Sequence, residues 1–565
     1  MKSWLQSKIK DLYPDVGFDV LTPPDEKMGD YSVNLAFVLA KKEGGNPKEV
    51  GKDLVDKFSK DQEFKKHFDQ IELAGNGFIN FYLSQDFLQK QLKEIHKQGD
   101  SFGKSKEGND ETIIVEYSSP NIAKPMHIGH LRSTIIGDAL ANIHEALGYK
   151  VIRWNFIGDW GTQFGKLIAA WKDEEMGGKK DISTLEDMVK LYVEFNQMDL
   201  ASREGKERAG QEEFAKLEAG DKENRKIWED FRKISLDVFS NVYNKIGVGK
   251  FDVIRGESDY ETKLKDIIQA LEKRGLAQES EGALIIELEN LPPAMLRKSD
   301  GATLYITRDI ASLDDRIKNY NPAKILYVVA NQQALHFEQL FVIAQKLGWT
   351  NTELTHVKFG MVLGEDGKKL ATREGKVVPL QEVIDKLTVL ALNTVKEKSH
   401  DLNDQEVKRI AEVVALGALK YNDLKQHPYS DITFDWNAML DLGGNSGPYL
   451  QYTYARLANI LKKVGGDLSR YDLNLLTESS ERKIMRKLLD FPEAIIECSR
   501  LYTLNALALY LYELASITNR FYEQVRIIED ENNERRNARL LLVETTARVL
   551  KRGLNLLGIE ILERI

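Results

Sequence analysis

The chain has 565 residues, which is long enough for several domains of ordinary size. Hydrophobic residues make up 42% of it and charged residues 30%, which fits a globular chain with a substantial core and excludes a fibrous or low-complexity one. The formal charge of −9 excludes one large, uniformly basic surface but not a local basic groove, and the single cysteine, Cys498, excludes a disulfide framework or a cysteine-type zinc site. The opening MKSWLQSKIKDLYPD lacks an apolar run, so no signal peptide is expected. Residues 1 to about 110 read as a small α+β unit. It has an amphipathic start, helices near 32–40 and 47–58, and a strand-like alternation over 77–83. The polar, Gly-rich stretch 99–111 reads as a linker.

From 111 to about 385, strand-like and helix-like segments alternate, which predicts a parallel α/β sheet. The strand candidates are 113–116, 151–157, 325–329 and 356–362. A charged, helical stretch over 172–240 reads as an insertion into that topology, extending to about 290, with no function of its own that the residues reveal. From 386 to 565 nearly everything has helical periodicity. The most apolar helical stretch, 501–522, carries Asn505, Glu513 and Asn519, so it reads as a buried helix rather than a membrane span.

The most informative segment is SSPNIAKPMHIGHLRSTIIGD, residues 118–138. An apolar run, 112–117, precedes it and reads as a buried parallel strand. Leu131, Ile135, Ile136, Ala139, Leu140, Ile143 and Leu147 follow with helical spacing, and Gly148 is a plausible stop. A strand-to-helix turn of this kind points backbone N–H groups and a helix dipole at an anion. His127 and His130, three residues apart at the helix start, can hydrogen-bond a triphosphate. The pair is also compatible with metal ligation, but no cysteine cluster or Glu/Asp at ligand spacing completes a site, so no protein-bound metal is expected.

His127-Ile128-Gly129-His130 matches the HIGH motif of class I aminoacyl-tRNA synthetases, and the preceding residues 118–125 resemble its arginyl-tRNA synthetase form. The resemblance covers nearly the whole chain. It implies an N-terminal tRNA-elbow domain (1–110), a Rossmann-type catalytic domain with helical insertions (111–385) and an all-helical anticodon-binding domain (386–565). The implied reaction joins L-arginine to its tRNA. The arginine carboxylate attacks the α-phosphorus of ATP and expels pyrophosphate, then the tRNA ribose hydroxyl attacks the arginyl-adenylate. Neither step needs an enzyme nucleophile, so positioning and charge stabilisation carry the catalysis. The resemblance also implies Mg2+ with the ATP, no organic cofactor, a cytoplasmic monomer, and a need for tRNA even in the first step.

The same resemblance distributes the roles. His127 and His130 contact ATP and stabilise the transition state, Gly129 lets the nucleotide approach, and His336, Met361 and Val362 complete the nucleotide site. Ser119 and Asn121 hold the amino acid's α-groups. The substrate guanidinium calls for bidentate carboxylates. Glu116 is one candidate, and the segment 300–309, which looks like the family's DG-x-x-x-Y-x-T-R-D, offers Tyr305 and Asp309; Gln333 also faces the amino acid. An alternative reading makes Asp309 a helix N-cap before 310–317 and Tyr305 a core aromatic. The Gly- and Lys-rich stretch 364–376 stands in place of the KMSKS loop, with Lys368 and Lys369 as pyrophosphate ligands. Its match is degenerate, because Ala371 replaces a common lysine, so Lys124 enters as a substitute. Residues 155–165 read as a pocket wall without a catalytic role. For tRNA, Asn76, Phe78 and Asn80 are expected at the elbow, and Tyr449, Tyr452 and Arg456 at the anticodon region, where a core role for each tyrosine is an equal alternative.

Overall fold

The computed structural model describes residues 1–173, 182–196, 200–299, 301–364, 366–368, 370, 378–398, 402–464 and 470–565. The N-terminal unit is built on an antiparallel sheet of β1 (Val20–Leu21), β2 (Tyr31–Val33), β3 (Phe68–Ala74) and β4 (Phe78–Leu83), in the order β1-β2-β4-β3. Helices Leu35–Glu43 and Pro47–Lys60 accompany it, and Phe58, Phe64, Phe68 and Phe81 pack ring against ring in its core. The sequence read 32–40 as one helix. Instead β2 runs to Val33 and the helix starts after Asn34, because Ser32 pairs with Asn80 across the sheet and the Asn34 side chain bonds Asp19.

The central sheet is parallel and five-stranded. Its strands are β5 (Thr112–Glu116), β6 (Lys150–Ile157), β7 (Val253–Gly256), β11 (Lys324–Ala330) and β12 (Glu353–Phe359), in the order β12-β11-β5-β6-β7. Between β7 and β11, a small antiparallel sheet forms from β8 (Gln278–Ser280), β9 (Ala283–Ile286) and β10 (Ala294–Arg297). Ile113 and Val115 of β5 enter one apolar core and Ile114 enters a second, so both sheet faces are covered. That is why β5 reads as an unbroken apolar run rather than an alternating one. The expected strand 356–362 is two strands: β12 ends at Phe359, Gly360 turns away to bond Pro428, and β13 (Val362–Leu363) pairs with β14 (Ile432–Thr433).

Helices Leu185–Asn196, Leu200–Glu218 and Lys222–Lys245 lie between β6 and β7. β7 itself falls inside the range the sequence marks as inserted, yet it pairs with β6 as the sheet's edge strand. Beyond β14 the described chain is helical, and the apolar 501–522 stretch is broken at Tyr502, whose φ of 53° is left-handed, before the helix Asn505–Gln524. Among the described residues no helix is long and apolar enough to cross a membrane.

Buried ion pairs join these parts. Asp30 of the N-terminal unit receives both outer nitrogens of Arg482, at 3.1 and 2.7 Å. Arg132, on the helix Ile128–Ala146, bonds Asp423 at 2.9 Å and the carbonyls of Ser430 and Pro428. With side chains 1% and 4% exposed, neither member of the Arg132–Asp423 pair can fall back on water. Removing one partner of such a pair costs about 3–5 kcal/mol, whereas replacing both by apolar groups is often neutral. We expect Asp423→Ala to lower the urea-unfolding midpoint by that order and Arg132→Met with Asp423→Leu to restore most of it. A midpoint unchanged by Asp423→Ala would mean that the pair does not hold these helices together.

Candidate active site

Chain direction along the central sheet reverses between β5 and β11, and ligands in open α/β sheets bind beyond the carboxyl ends of the strands at such a point. A cavity of about 410 Å³ opens there. Of the residues singled out in the sequence, Ser119, His127, Gly129, His130, Gln333, Met361 and Val362 line it. Arg132, Ser133, Gln332 and Phe359 line it as well, and sequence reasoning gave them no role.

His127 is the N-cap of the helix Ile128–Ala146, and its Nδ1 accepts the Gly129 N–H at 3.1 Å. His130 Nδ1 accepts the His127 N–H at 3.1 Å, and the two rings stack with centroids 3.8 Å apart. A neutral imidazole has one acceptor nitrogen and one donor. With both Nδ1 atoms accepting, the hydrogen-bond network assigns the proton of each neutral ring to Nε2. Burial, then the charges of His127 and Lys124, push His130 down to about 3, so it stays neutral across the physiological range. Gly129 acts differently from the expectation. A Cβ there would stand 2.9 Å from the His127 ring, so its bareness makes room for the imidazole.

The turn before this helix is strained. Ser118, Ser119 and Ala123 have φ of 73°, 43° and 63°, a region that costs side-chain-bearing residues of order 1–3 kcal/mol each. Ser118 N–H donates to Ser133, Ser119 N–H to Asn155 and Ala123 N–H to Ser235. The Tyr243 hydroxyl bonds both Ser118 and Asn155. Ser235 and Tyr243 belong to the helix Lys222–Lys245, so part of the charged insertion braces the turn. The Ser119 hydroxyl is buried at the cavity with no hydrogen-bond partner among the described residues. Asn121 sits over Gly158, where a Cβ would come within 2.0 Å of its side-chain oxygen. The pocket-wall segment 155–165 is indeed a packing hub: Asp159, fully buried, holds Ser258 and Arg232.

The acidic side chains gather near the sheet's carboxyl edge. Asp309 lies in the second turn of the helix Tyr305–Tyr320, which overturns the N-cap alternative. Its Oδ2 meets His336 Nε2 at 2.6 Å, so His336, expected beside the nucleotide, has a carboxylate partner. Burial works against the charged imidazole, but the Asp309 bond and the charges of Asp309 and Glu116 together outweigh it and raise His336 above its ordinary range. Glu116 is 5% exposed and paired with Arg316. Burial pushes it above the usual carboxylate range against the pull of Arg316, and Asp309 and His336 are both near enough to act on it. Tyr305 is 64% exposed, which excludes the core-aromatic alternative. A third acid, Glu257, which the sequence did not single out, is pushed up to about 8 by burial and feels Asp309.

The Gly- and Lys-rich loop starts at β13 and returns beside the histidines. Leu370 N–H bonds Val362, His127 bridges to Pro379, and Leu380 N–H bonds Met126. Lys368 is exposed in the turn closed by Gly364 N–H on its carbonyl, Lys124 is exposed near His130, and Lys369 lies outside the described residues. The Met361 N–H and carbonyl are committed to Asp431 and Ile432, and the Val362 carbonyl to Leu370, so these residues offer the cavity mainly side chains.

The expected tRNA contacts divide. Phe78 is 39% exposed and packs edge-on against Phe37, and Asn76 is exposed in the neighbouring turn. Asn80 is a correction: it is buried, because the Gly29 backbone covers it, with the position of a Cβ there 3.4 Å from that of Asn80. Tyr449 and Tyr452 are half-buried. Arg456 lies between the rings of Tyr452 and Tyr522, 4.9 and 4.8 Å from their centroids, and bonds Asn519. Residue type and resemblance pointed to Tyr449, Tyr452 and Arg456, but Asn519 and Tyr522 come from a distant helix, Asn505–Gln524.

Three family models match the chain: "Arginyl tRNA synthetase N terminal domain" over residues 1–83, "tRNA synthetases class I (R), catalytic domain" over 91–436, and "DALR anticodon binding domain" over 450–565. The chain belongs to the arginyl-tRNA synthetase family. Among its synthetase relatives, the arginine–tRNA ligase of Fusobacterium nucleatum is 37% identical, over 99% of this chain and 98% of that one. The arginine–tRNA ligase of Halothermothrix orenii is 39% identical over 96% and 95%. The crystal structure of arginyl-tRNA synthetase from Plasmodium falciparum superposes with a TM-score of 0.83 at 30% identity, covering 100% of this chain and 98% of that one. The Thermus thermophilus arginyl-tRNA synthetase gives 0.82 at 25% identity, over 100% and 99%.

The unfolded ring of His130 takes its proton near 6.5, whereas the folded one does so only near 3, so acidification between those values favours unfolding and leaves the folded ring uncharged. We expect the His130 Cε1–H resonance to stay flat between about pH 5 and 8. A titration midpoint near the ordinary histidine value would mean that the ring is not buried against its neighbours as described.

Proposed function

We propose that the cavity at the β5–β11 reversal is where ATP and L-arginine react, as the first half of an ATP-dependent arginine–tRNA ligation that releases AMP and pyrophosphate. The observation that carries this reading is the pair of stacked imidazoles lining the cavity at a helix start, with each Nδ1 accepting a backbone N–H. Nε2–H donors fixed in this way need no reorganisation when charge builds on the α-phosphate and on departing pyrophosphate. Because His130 is kept neutral, it stabilises by hydrogen bonding rather than as a cation. Lys124, exposed and near enough to act on His130, and Lys368, exposed in the Gly- and Lys-rich loop, are the amines we assign to the departing pyrophosphate.

Arginine enters beside the nucleotide, with its α-groups toward Ser119, Asn121 and Gln333 and its guanidinium toward Glu116, Tyr305 and Asp309. The unpartnered Ser119 hydroxyl and the acidic cluster around Asp309 support this orientation. Magnesium comes with the triphosphate. Among the described residues no group of three His, Cys, Asp or Glu could hold a metal ion, and the cavity lining has no carboxylate, so the donor set does not fit a protein-held metal. For the second half-reaction, Arg456 between Tyr452 and Tyr522 suits base stacking and phosphate contact, and Asn76 and Phe78 present an exposed edge of the N-terminal unit. We place the working enzyme in the cytoplasm as a monomer.

ATP–pyrophosphate exchange tests this directly. Exchange should depend on arginine and require the cognate tRNA. Asp309→Asn keeps the side-chain shape but removes a charge facing a desolvated guanidinium, a loss of about 3–5 kcal/mol for an unpaired buried ion. The arginine KM should therefore rise by at least two orders of magnitude while the ATP KM changes little. Exchange driven by a different amino acid would overturn the arginine assignment, and equal losses for both substrates would show that the guanidinium binds elsewhere.

A further inference from the structure

Glu116 was expected to wait for the substrate's guanidinium, yet the chain already supplies one. Arg316, on the helix Tyr305–Tyr320, is 1% exposed and bonds Glu116 Oε2 through Nη2. Its guanidinium carbon stands 4.5 Å from the centroid of Trp154, 5.4 Å from Tyr327 and 5.8 Å from Phe156. Its Nε and Nη1 have no hydrogen-bond acceptor among the described residues. Arginine is favoured for buried pairs because it is always charged and stacks on aromatic faces. A resident cation held this deeply must do something for the acid it touches, since an apolar pair would fill the space at no net cost.

We propose that Arg316 is a positioning residue for arginine recognition, a built-in guanidinium that pins Glu116 by one oxygen and sets the pocket's charge to accept one more. The proposal rests on the assignment of Glu116 and Asp309 to the arginine pocket. The charges near Glu116 come from two helices and one strand: Arg316 and Asp309 from Tyr305–Tyr320, His336 from Ala334–Lys346, and the Tyr327 hydroxyl from β11. Tyr260 faces Arg316 from the turn Glu257–Lys263. Glu116, Asp309 and Arg316 together leave one negative charge, which a substrate guanidinium cancels; His336, raised by its contact with Asp309, competes for that charge when protonated. Without Arg316, burial would push Glu116 further toward its protonated form, and a neutral acid is a poor partner for a cation.

The test is the pH profile of arginine-dependent ATP–pyrophosphate exchange in the full chain with tRNA. The profile of the unaltered protein is the reference. Relative to it, Arg316→Gln should lose activity most at low pH and recover by up to about tenfold per pH unit until Glu116 ionises, with the ATP KM unchanged. Arg316→Lys should restore the shape of the unaltered profile at a lower rate. Adding Arg316→Met to Glu116→Gln should cost little beyond Glu116→Gln alone, because the two act as one unit. If Arg316→Gln fails to fold, as a thermal melt would reveal, the Lys variant and the uncharged pair still carry the comparison. A pH-independent loss shared by both substrates, or full additivity with Glu116→Gln, overturns the proposal and leaves Arg316 a packing residue. Absence of arginine-driven exchange in the unaltered protein would strike the parent reading instead.

Discussion

Two backbone N–H groups at one helix start decide what the site can do. The first amides of any helix lack intrahelical acceptors, and here imidazole nitrogens supply two of the missing acceptors. One arrangement therefore solves two problems. It caps the helix Ile128–Ala146, and it fixes the tautomer of both rings so that their remaining protons point away from the backbone. A serine cap would satisfy the helix equally well, but it would leave no donor pair for an anion. The requirement for glycine at 129 follows from the same arrangement, because the ring that caps the helix lies against that Cα.

The rings are only as well placed as the turn that delivers them. Three side-chain-bearing residues with left-handed backbone within six positions would relax if left alone. They are held by hydrogen bonds from three directions: Ser133 on the helix that follows, Asn155 on β6, and Ser235 and Tyr243 on the insertion. The insertion is thus not a separate appendage. It contributes two of the groups that keep the nucleotide turn in its strained form, and Asp159 reinforces the join by tying Arg232 of that helix to Ser258 beyond β7. Strain at a binding turn is affordable when the surroundings over-determine it.

The sequence reveals most where a single local rule acts. β5 and the helix after it were legible because burial on both faces writes an apolar run and a helical period writes its own spacing. The paired histidines were legible because they sit at that junction. What could not be read was partnership across long separations. Arg132 stands as an anomalous charge in an apolar helix, but nothing local names Asp423, 291 positions away, as its partner. Arg316 and Glu116 are 200 positions apart, so the acid looked free for a ligand when it was already paired. Asn80 was assigned to the elbow by resemblance; its burial depends on strand pairing with Ser32 that no periodicity records. The tie of His336 to Asp309 was hidden for the same reason, since it joins two helices across 27 residues of sequence.

The charged groups buried along the Ile128–Ala146 helix tie the catalytic and helical parts together. One turn past the histidines, Arg132 is fixed by Asp423 and two carbonyls from the segment leading to β14. Further along, Asp138 accepts the Gly249 N–H, while the nearby buried Lys420 bonds carbonyls of Gly247 and Gly558. Burial pushes Lys420 down to about 8 and Asp138 upward, so neither group is at ease without the other. Buried charges tolerate little displacement, because moving a partner away exposes the full desolvation cost. Asp423 and Lys420 lie on one helix, Asp404–Leu424; Asp423 bonds the histidine-bearing helix directly, and Lys420 acts on its Asp138 by charge. A shift of that helix would therefore break a buried pair on the histidine-bearing one, so the placing of the two imidazoles depends on a helix nearly three hundred positions further along the chain.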